Sequence, residues 1–340
     1  MSRTYRFGAG SLAELPALAE ELGLERLLLV TSRRGASLAP TLPVAAVYDG
    51  VRSHVPVETV REAAALARAT RVDGLVGLGG GSAIDTCKAV TVELLGEDIT
   101  VRTIAVPTTY AGAEWTPYFG VRDEARKTKS GGSDELARPV AAIYDPALSL
   151  ALPRAASGGT AMNALAHCAE ALYARGRSDR GDRHAFCGAR VIAYALPLVL
   201  ADGSSLYARS RLLEGAMRAA RALDEAGLGL AHAMAQALGG RYGLPHGALN
   251  AICLPPALRF NQLEAPEAIA KLGQAMEADE PIGKVEELAR LAGFSRLRDL
   301  GIPDAELDQV AELTAARPAM RANPRPASPA EIAALLRAVW

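Results

Sequence analysis

The chain has only five histidines, and three of them sit where their spacing or neighbours point to chemistry. Asn163 and His167 are four residues apart, and so are His232 and Gln236. In a helix that interval places both side chains on one face. His246 lies in Leu244-Pro245-His246-Gly247, which reads as a loop. The surrounding sequence is apolar, and a polar side chain buried there is costly unless it finds a partner. Asn163, His167, His232, Gln236 and His246 are therefore expected to converge on one cleft between two domains. Imidazoles gathered in this way can stabilise a developing oxyanion or transfer a proton. They can also bind zinc or ferrous iron, although Asn163 and Gln236 are poor neutral donors for a divalent cation. Three readings stand at this point: a metal-free active site, a metal centre, and hydrogen-bonded core histidines. His54 and His184 lie outside the set.

A second group is built from glycine. Gly79-Gly80-Gly81-Ser82 follows the apolar run Gly74–Leu78 and precedes a helical stretch, Ala83–Leu95. Glycines let main chain approach a pyrophosphate closely, and the helix N-terminus then offers N–H groups and partial positive charge. Pro107-Thr108-Thr109 comes directly after the next strand, Thr103–Val106. Ligands of open α/β sheets bind outside the carboxyl ends of strands. Two hydroxyls there suit a nicotinamide ribose or carboxamide.

The elements that must position these residues change character along the chain. The first part alternates apolar strands (Leu27–Thr31, Ala45–Tyr48, Gly74–Leu78, Thr103–Val106) with amphipathic helices. Thr59 and Glu62 read as a capping box opening a helix that runs through Ala63 to Ala69. This alternation predicts a doubly wound parallel α/β sheet. Beyond Asp145-Pro146 the pattern is long, Ala- and Leu-rich and helical, with the boundary in Tyr144–Pro153. The expected division is a dinucleotide-binding α/β domain over residues 1–148 and an all-helical catalytic domain over 149–340. Arg175–Arg183 reads as an exposed loop. Ser328-Pro329-Ala330-Glu331 reads as the start of a final helix running to Trp340.

Composition narrows the class. Half the residues are hydrophobic and the formal net charge is -1, so nothing points to nucleic acid as a partner. No run of 18 apolar residues is seen, and MSRTYRFGAG lacks the apolar core of a signal peptide. Cys87, Cys168, Cys187 and Cys253 form no CxxC pair and read as reduced, buried thiols of a cytoplasmic protein.

The same motifs carry a resemblance to a known family. Gly79-Gly80-Gly81-Ser82, Ala105 through Glu114 (AVPTTYAGAE), and Gly239-Gly240 through Pro245-His246 resemble the iron-type alcohol dehydrogenases. His54-Val55-Pro56-Val57-Glu58, Thr116-Pro117, Ala161 through His167 (AMNALAH) and Asn323-Pro324-Arg325-Pro326 resemble the maleylacetate reductase branch. The resemblance implies a dehydroquinate synthase-like architecture and hydride transfer from NADPH or NADH. It assigns Gly79, Gly80, Gly81 and Ser82 to the pyrophosphate and Thr108 and Thr109 to the nicotinamide end. Asp85 and Lys88 match polar positions of the following helix. It also implies a small-molecule substrate, a homodimer, and no membrane partner.

Departures from the family pattern shape the functional expectation. Metal-dependent members carry aspartate at the position of Asn163 and histidine at that of Gln236. Only His167 and His246 remain of their four ligands, and these two would hold a metal if one were bound. Gln236 and the Gly247-Ala248-Leu249-Asn250 stretch also depart from the maleylacetate reductases. Thr31-Ser32-Arg33-Arg34 occupies the region where NAD-preferring relatives carry aspartate. Ser32 and Arg33 are therefore assigned to the cofactor, and Arg33 or Arg34 can pair with a 2′-phosphate, so NADPH is accepted. The expected activity is reduction of an unsaturated oxo acid or carbonyl compound without a tightly bound metal. Asn163, His167, His232, Gln236 and His246 are its catalytic set. A metal-dependent alcohol dehydrogenase or aldehyde reductase, and a non-redox lyase or cyclase on the same scaffold, are the alternatives.

Overall fold

The computed structural model of the chain describes residues 4–38, 42–123 and 128–340. Its contacts divide into two compact units, Met1–Ala151 and Leu152–Trp340.

The first unit contains strands β1 (Thr4–Phe7), β2 (Leu27–Val30), β3 (Ala46–Tyr48), β4 (Gly74–Gly79), β5 (Arg102–Pro107), β6 (Tyr118–Asp123), β7 (Thr128–Ser133) and β8 (Ala141–Tyr144). Its helices are α1 (Leu15–Glu21), α2 (Arg33–Ala36), α3 (Val57–Thr70) and α4 (Gly81–Leu95). Six strands form one sheet in the order β1-β8-β5-β4-β2-β3, and every neighbouring pair is parallel. Alternate side chains cover both faces. Leu28, Val30 and Leu75 pack on one side with Ala63 of α3 and Cys87 and Val90 of α4. Leu27, Leu29, Val76, Leu78, Ile104 and Val106 pack on the other with Leu15 and Leu18 of α1. A sheet buried on both faces needs apolar residues at successive positions, which is why these strands read as continuous apolar runs. The doubly wound expectation is thus met. The antiparallel hairpin β6–β7 was not anticipated. Its sequences, YFGVRD and TKSGGS, lack an apolar run, and the residues of β6 are partly or fully exposed.

One capping expectation fails here. Helix α3 starts at Val57 behind Pro56, with no side-chain cap. Thr59 lies buried inside the helix, and Glu62 instead accepts from the Tyr48 hydroxyl at 2.8 Å. Proline cannot donate to a preceding turn, so it marks the boundary ahead of the threonine.

The second unit is helical: α5 (Arg154–Tyr173), α6 (Asp179–Ala201), α7 (Leu206–Ala226), α8 (Leu230–Tyr242), α9 (His246–Asn261), α10 (Pro266–Met276), α11 (Pro281–Leu291), α12 (Leu307–Ala315) and α13 (Pro329–Ala338). The central helix is α5, whose residues from Ala161 to Tyr173 are all buried. It packs against α6, α7 and α9. Helix α6 has the length and apolar composition to cross a bilayer, yet half of its apolar window is buried within the unit. It serves as a core helix.

The expected exposed loop over 175–183 is only partly so. Ser178 caps α6 by accepting from the Gly181 N–H, and Asp182 is buried and paired with Lys271 at 2.8 Å. A serine followed by acids in the first turn is a helix start, and it lay hidden among the arginines. The start at Ser328 has the predicted form: its side chain and that of Glu331 make a reciprocal capping box. All four cysteines are free. Cys87, Cys168 and Cys253 are buried, whereas Cys187 is partly exposed, contrary to expectation.

Candidate active site

In the first unit the strand order brings three turns to the same edge. Ser32, Gly79–Ser82 and Thr108-Thr109 follow the carboxyl ends of β2, β4 and β5, which lie side by side. Gly79 has φ +153°, and a Cβ on it would meet the Ala83 Cβ at 2.9 Å. A Cβ on Gly80 would come within 3.0 Å of Thr109 Cγ2. The turn therefore favours glycine at 79, where φ is positive, and a side chain at 80 would have to push Thr109 aside. Its path is locked by the Thr108 N–H, which donates to the Gly79 carbonyl at 2.8 Å. Helix α4 begins at Gly81, two residues earlier than the sequence pattern implies, and no side chain caps it. Bare main chain at a helix N-terminus suits a phosphate.

The polar residues nearby divide by role. Ser32 caps α2 by accepting from the Gly35 N–H at 3.2 Å. Arg33 is exposed, while Arg34 donates to the Ala151 carbonyl. Asp85 is partly exposed and accepts from Lys88 Nζ at 3.2 Å. Lys88 is fully buried, and its Nζ also donates to the Tyr118 carbonyl at 2.7 Å. Burial pulls the Lys88 pKa down while Asp85 opposes that shift. The pair ties α4 to β6.

In the second unit four of the five predicted residues come together. The rings of His167 and His232 stack with centroids 4.7 Å apart. His246 lies 5.6 Å from His232, centroid to centroid. Asn163 Oδ1 is 3.3 Å from His232 Nε2 and accepts from Asn250 Nδ2 at 2.7 Å. The same Asn250 amide nitrogen is 3.0 Å from His246 Nε2. An amide nitrogen only donates, so that His246 nitrogen accepts. His167 is held far below the usual imidazole pKa, first by burial and then by the two neighbouring histidines. Its Nδ1 is buried without a hydrogen-bond partner among the described residues.

His246 is the first residue of α9 rather than part of a loop. Pro245 ends the preceding segment and the helix begins behind it. A Cβ on Gly247 would fall 2.4 Å from the Gly159 carbonyl carbon, so main chain meets main chain where α9 crosses α5. Among the described residues, the Gln236 side chain makes no hydrogen bond to the other four. Gln236 is partly exposed on α8, and its main-chain carbonyl accepts from Arg317 at 3.4 Å. It stands one turn after His232 on the same face of α8.

Two residues of the site escaped the sequence reading. Glu170 has no exposed surface. Its carboxylate accepts from His232 Nδ1 at 2.7 Å and from the main-chain N–H groups of Gly229 at 2.8 Å and His232 at 3.2 Å. It both caps α8 and orients the His232 ring, whose two nitrogens each face an oxygen. Asn250 is the other. A signal existed for each: Glu170 continues the Asn163–His167 face by one turn, and Asn250 stands four residues after His246. A further asparagine, Asn323, accepts from the Leu230 N–H at 3.2 Å. Asn323 and Asn261 exchange reciprocal amide hydrogen bonds of 2.9 Å.

The first unit thus carries a glycine turn at its strand ends, and the second a buried imidazole cluster. Residues 2–146 match the iron-containing alcohol dehydrogenase family, and residues 157–340 match the Fe-containing alcohol dehydrogenase family, C-terminal. The maleylacetate reductase of Pseudomonas knackmussii is 36% identical over 97% of this chain and 94% of its own length. The crystal structure of maleylacetate reductase from Rhizobium sp. strain MTP-10005 superposes with TM-score 0.91 at 32% identity, covering 100% of this chain and 96% of that one. The sulfoacetaldehyde reductase of Bifidobacterium kashiwanohense, in complex with NAD+, shares the fold at 22% identity with TM-score 0.91, covering 99% of this chain and 97% of that one. The chain belongs to the iron-containing alcohol dehydrogenase family and is an oxidoreductase.

Proposed function

We propose that this enzyme reduces maleylacetate or a closely similar unsaturated oxo acid with NADPH or NADH, and does so without a tightly bound metal. The substrate class rests on the maleylacetate reductases, which match nearly the full chain at 36% identity. The observation that carries the metal-free reading is the state of Asn163. Its neutral Oδ1 accepts from Asn250 and faces His232, so both lone pairs are directed at nitrogen. His246 Nε2 is likewise directed at Asn250. A divalent cation favours anionic oxygen or several open imidazoles, and these donors do not fit it.

Gly79, Gly80, Gly81 and Ser82 hold the pyrophosphate in this proposal, with Asp85, Thr108 and Thr109 beside the cofactor and Ser32 and Arg33 near its adenosine end. Residues 1–148 would thus be the dinucleotide-binding domain and 149–340 the catalytic one. When bound, the cofactor supplies a hydride. His246 stabilises the charge that develops on the substrate oxygen: its Nε2 accepts from Asn250, so its N–H is on Nδ1 and donates a hydrogen bond there, while the proton itself comes from solvent. His232, fixed by Glu170, and His167 line the site, and Asn163 aligns His232 with Asn250. Gln236, partly exposed on the same helix, contributes to the substrate's surroundings. A homodimer in the cytoplasm belongs to the same proposal, and free thiols suit a reducing compartment.

The test is nicotinamide oxidation by chelator-treated, metal-analysed protein given maleylacetate and a panel of aldehydes. Turnover of maleylacetate by metal-free protein supports the reading. A stoichiometric metal whose removal abolishes activity overturns its metal-free part, and turnover of aldehydes alone overturns the substrate.

A further inference from the structure

The helical unit carries an open groove of about 350 Å³ that no residue of the imidazole cluster lines. Arg317, Arg321, Met320 and Pro326 form part of its wall. Arg317 is half-buried, and its Nη2 donates to the Gln236 carbonyl at 3.4 Å, while Arg321 is exposed. Neither arginine has an acidic partner among the described residues. Burial lowers the Arg317 pKa, as expected where no carboxylate offsets desolvation. Other half-buried arginines in this unit are paired, as Arg218 is with Glu214 at 2.9 Å and Arg325 with Glu331 at 3.0 Å.

The position of this guanidinium matters as much as its charge. Its Nη2 lies against α8 at Gln236 and Gly240, where a Cβ on Gly240 would sit 3.4 Å away. His232 is one turn before Gln236 and two turns before Gly240, about 6 and about 12 Å along the axis. A guanidinium presents five N–H donors in a planar fork that matches a carboxylate with two parallel bonds. The small residue at 240 leaves room beside it.

We propose that Arg317, assisted by Arg321, forms a carboxylate-binding subsite, and that its occupant is the carboxylate of the substrate remote from the reacting carbon. The occupant rests on the oxo-acid reading above; the subsite itself rests on the groove and its two arginines. It gives Gln236 a place in the enzyme, since the α8 turn that bears it leads from His232 toward Arg317.

The experiment uses the full chain with Arg317→Gln, Arg317→Lys and Arg321→Gln. Succinate, a dicarboxylate with no reducible carbonyl, is titrated by calorimetry, and KM and kcat are measured for maleylacetate and for propanal. Arg317→Gln is expected to weaken succinate about tenfold and to raise the maleylacetate KM by a similar factor. Its kcat and any propanal turnover should hold, and Lys should restore part of the loss. Arg321→Gln should show a smaller effect in the same direction. Unchanged succinate binding in Arg317→Gln overturns the subsite even where wild-type protein reduces maleylacetate. Weakened succinate with an unchanged maleylacetate KM overturns the assignment to the substrate and leaves a site for a free organic acid. Wild-type protein that binds succinate through Arg317 yet ignores maleylacetate removes the oxo-acid reading and keeps the subsite.

Discussion

The two candidate sites are made from different parts of the polypeptide. At Gly79–Ser82 the working surface is main chain, and side chains are excluded from it by φ and by contact with Ala83 and Thr109. In the imidazole cluster the working surface is side chain, held by other side chains: Glu170 on His232, and Asn250 between Asn163 and His246. The first kind of site tolerates almost no substitution but owes little to residues elsewhere in its unit. The second depends on partners distant in sequence. Substitutions should therefore act locally on binding in one region and spread through stability and turnover in the other.

The largest effect is expected at Glu170. Removing it in Glu170→Ala strands the His232 ring and two helix N–H groups inside the protein, and loss of a buried pair costs about 3–5 kcal/mol. Urea unfolding measures this; a loss under about 1 kcal/mol would show that the cluster does not depend on its buried partner. His246→Ala comes next. Losing a donor to developing charge raises the barrier by about 2.7–4 kcal/mol, seen as a fall in kcat with folding intact, and full activity would remove the catalytic role.

Gly79→Ala should act on the other side of the comparison. Forcing a side chain into that φ costs on the order of 1–3 kcal/mol, and fluorescence titration should show NADPH binding about tenfold weaker. An unchanged affinity would show that the turn does not carry the cofactor. Arg33→Gln should give the smallest change, a few-fold shift of preference from NADPH toward NADH. Wild-type protein binding NADH at least about tenfold more tightly than NADPH would reject a 2′-phosphate contact altogether.

The sites also differ in how far they could be read from sequence. Glycine spacing after an apolar strand is a local signal, because the conformational demand falls on the glycines themselves. The strands β2, β4 and β5 were equally legible, since burial on both faces writes itself as apolar runs. The cluster was only half visible. His167, His232, His246 and Asn163 stood out as polar residues in apolar surroundings. Glu170 and Asn250 did not, because an acid or amide in a helix is ordinary until its partners are known. For Gln236 the four-residue interval gave the helix face it shares with His232, but not whether its side chain would find a hydrogen-bond partner there. The early start of α4 and the placement of His246 in α9 were missed because glycine and proline mark boundaries without saying on which side of them the helix lies.

The amide of Asn323 lies 93 residues beyond the main-chain N–H of Leu230 that it caps, and 62 residues beyond Asn261, its reciprocal partner. During synthesis on the ribosome, α8 is made long before that segment emerges. Until it does, the turn bearing His232 has one of its orphan donors unanswered. The start of the helix that bears His232 is thus completed only once the segment carrying Asn323 has been produced. The glycine turn, whose contacts all lie within the first third of the chain, can be finished while translation continues.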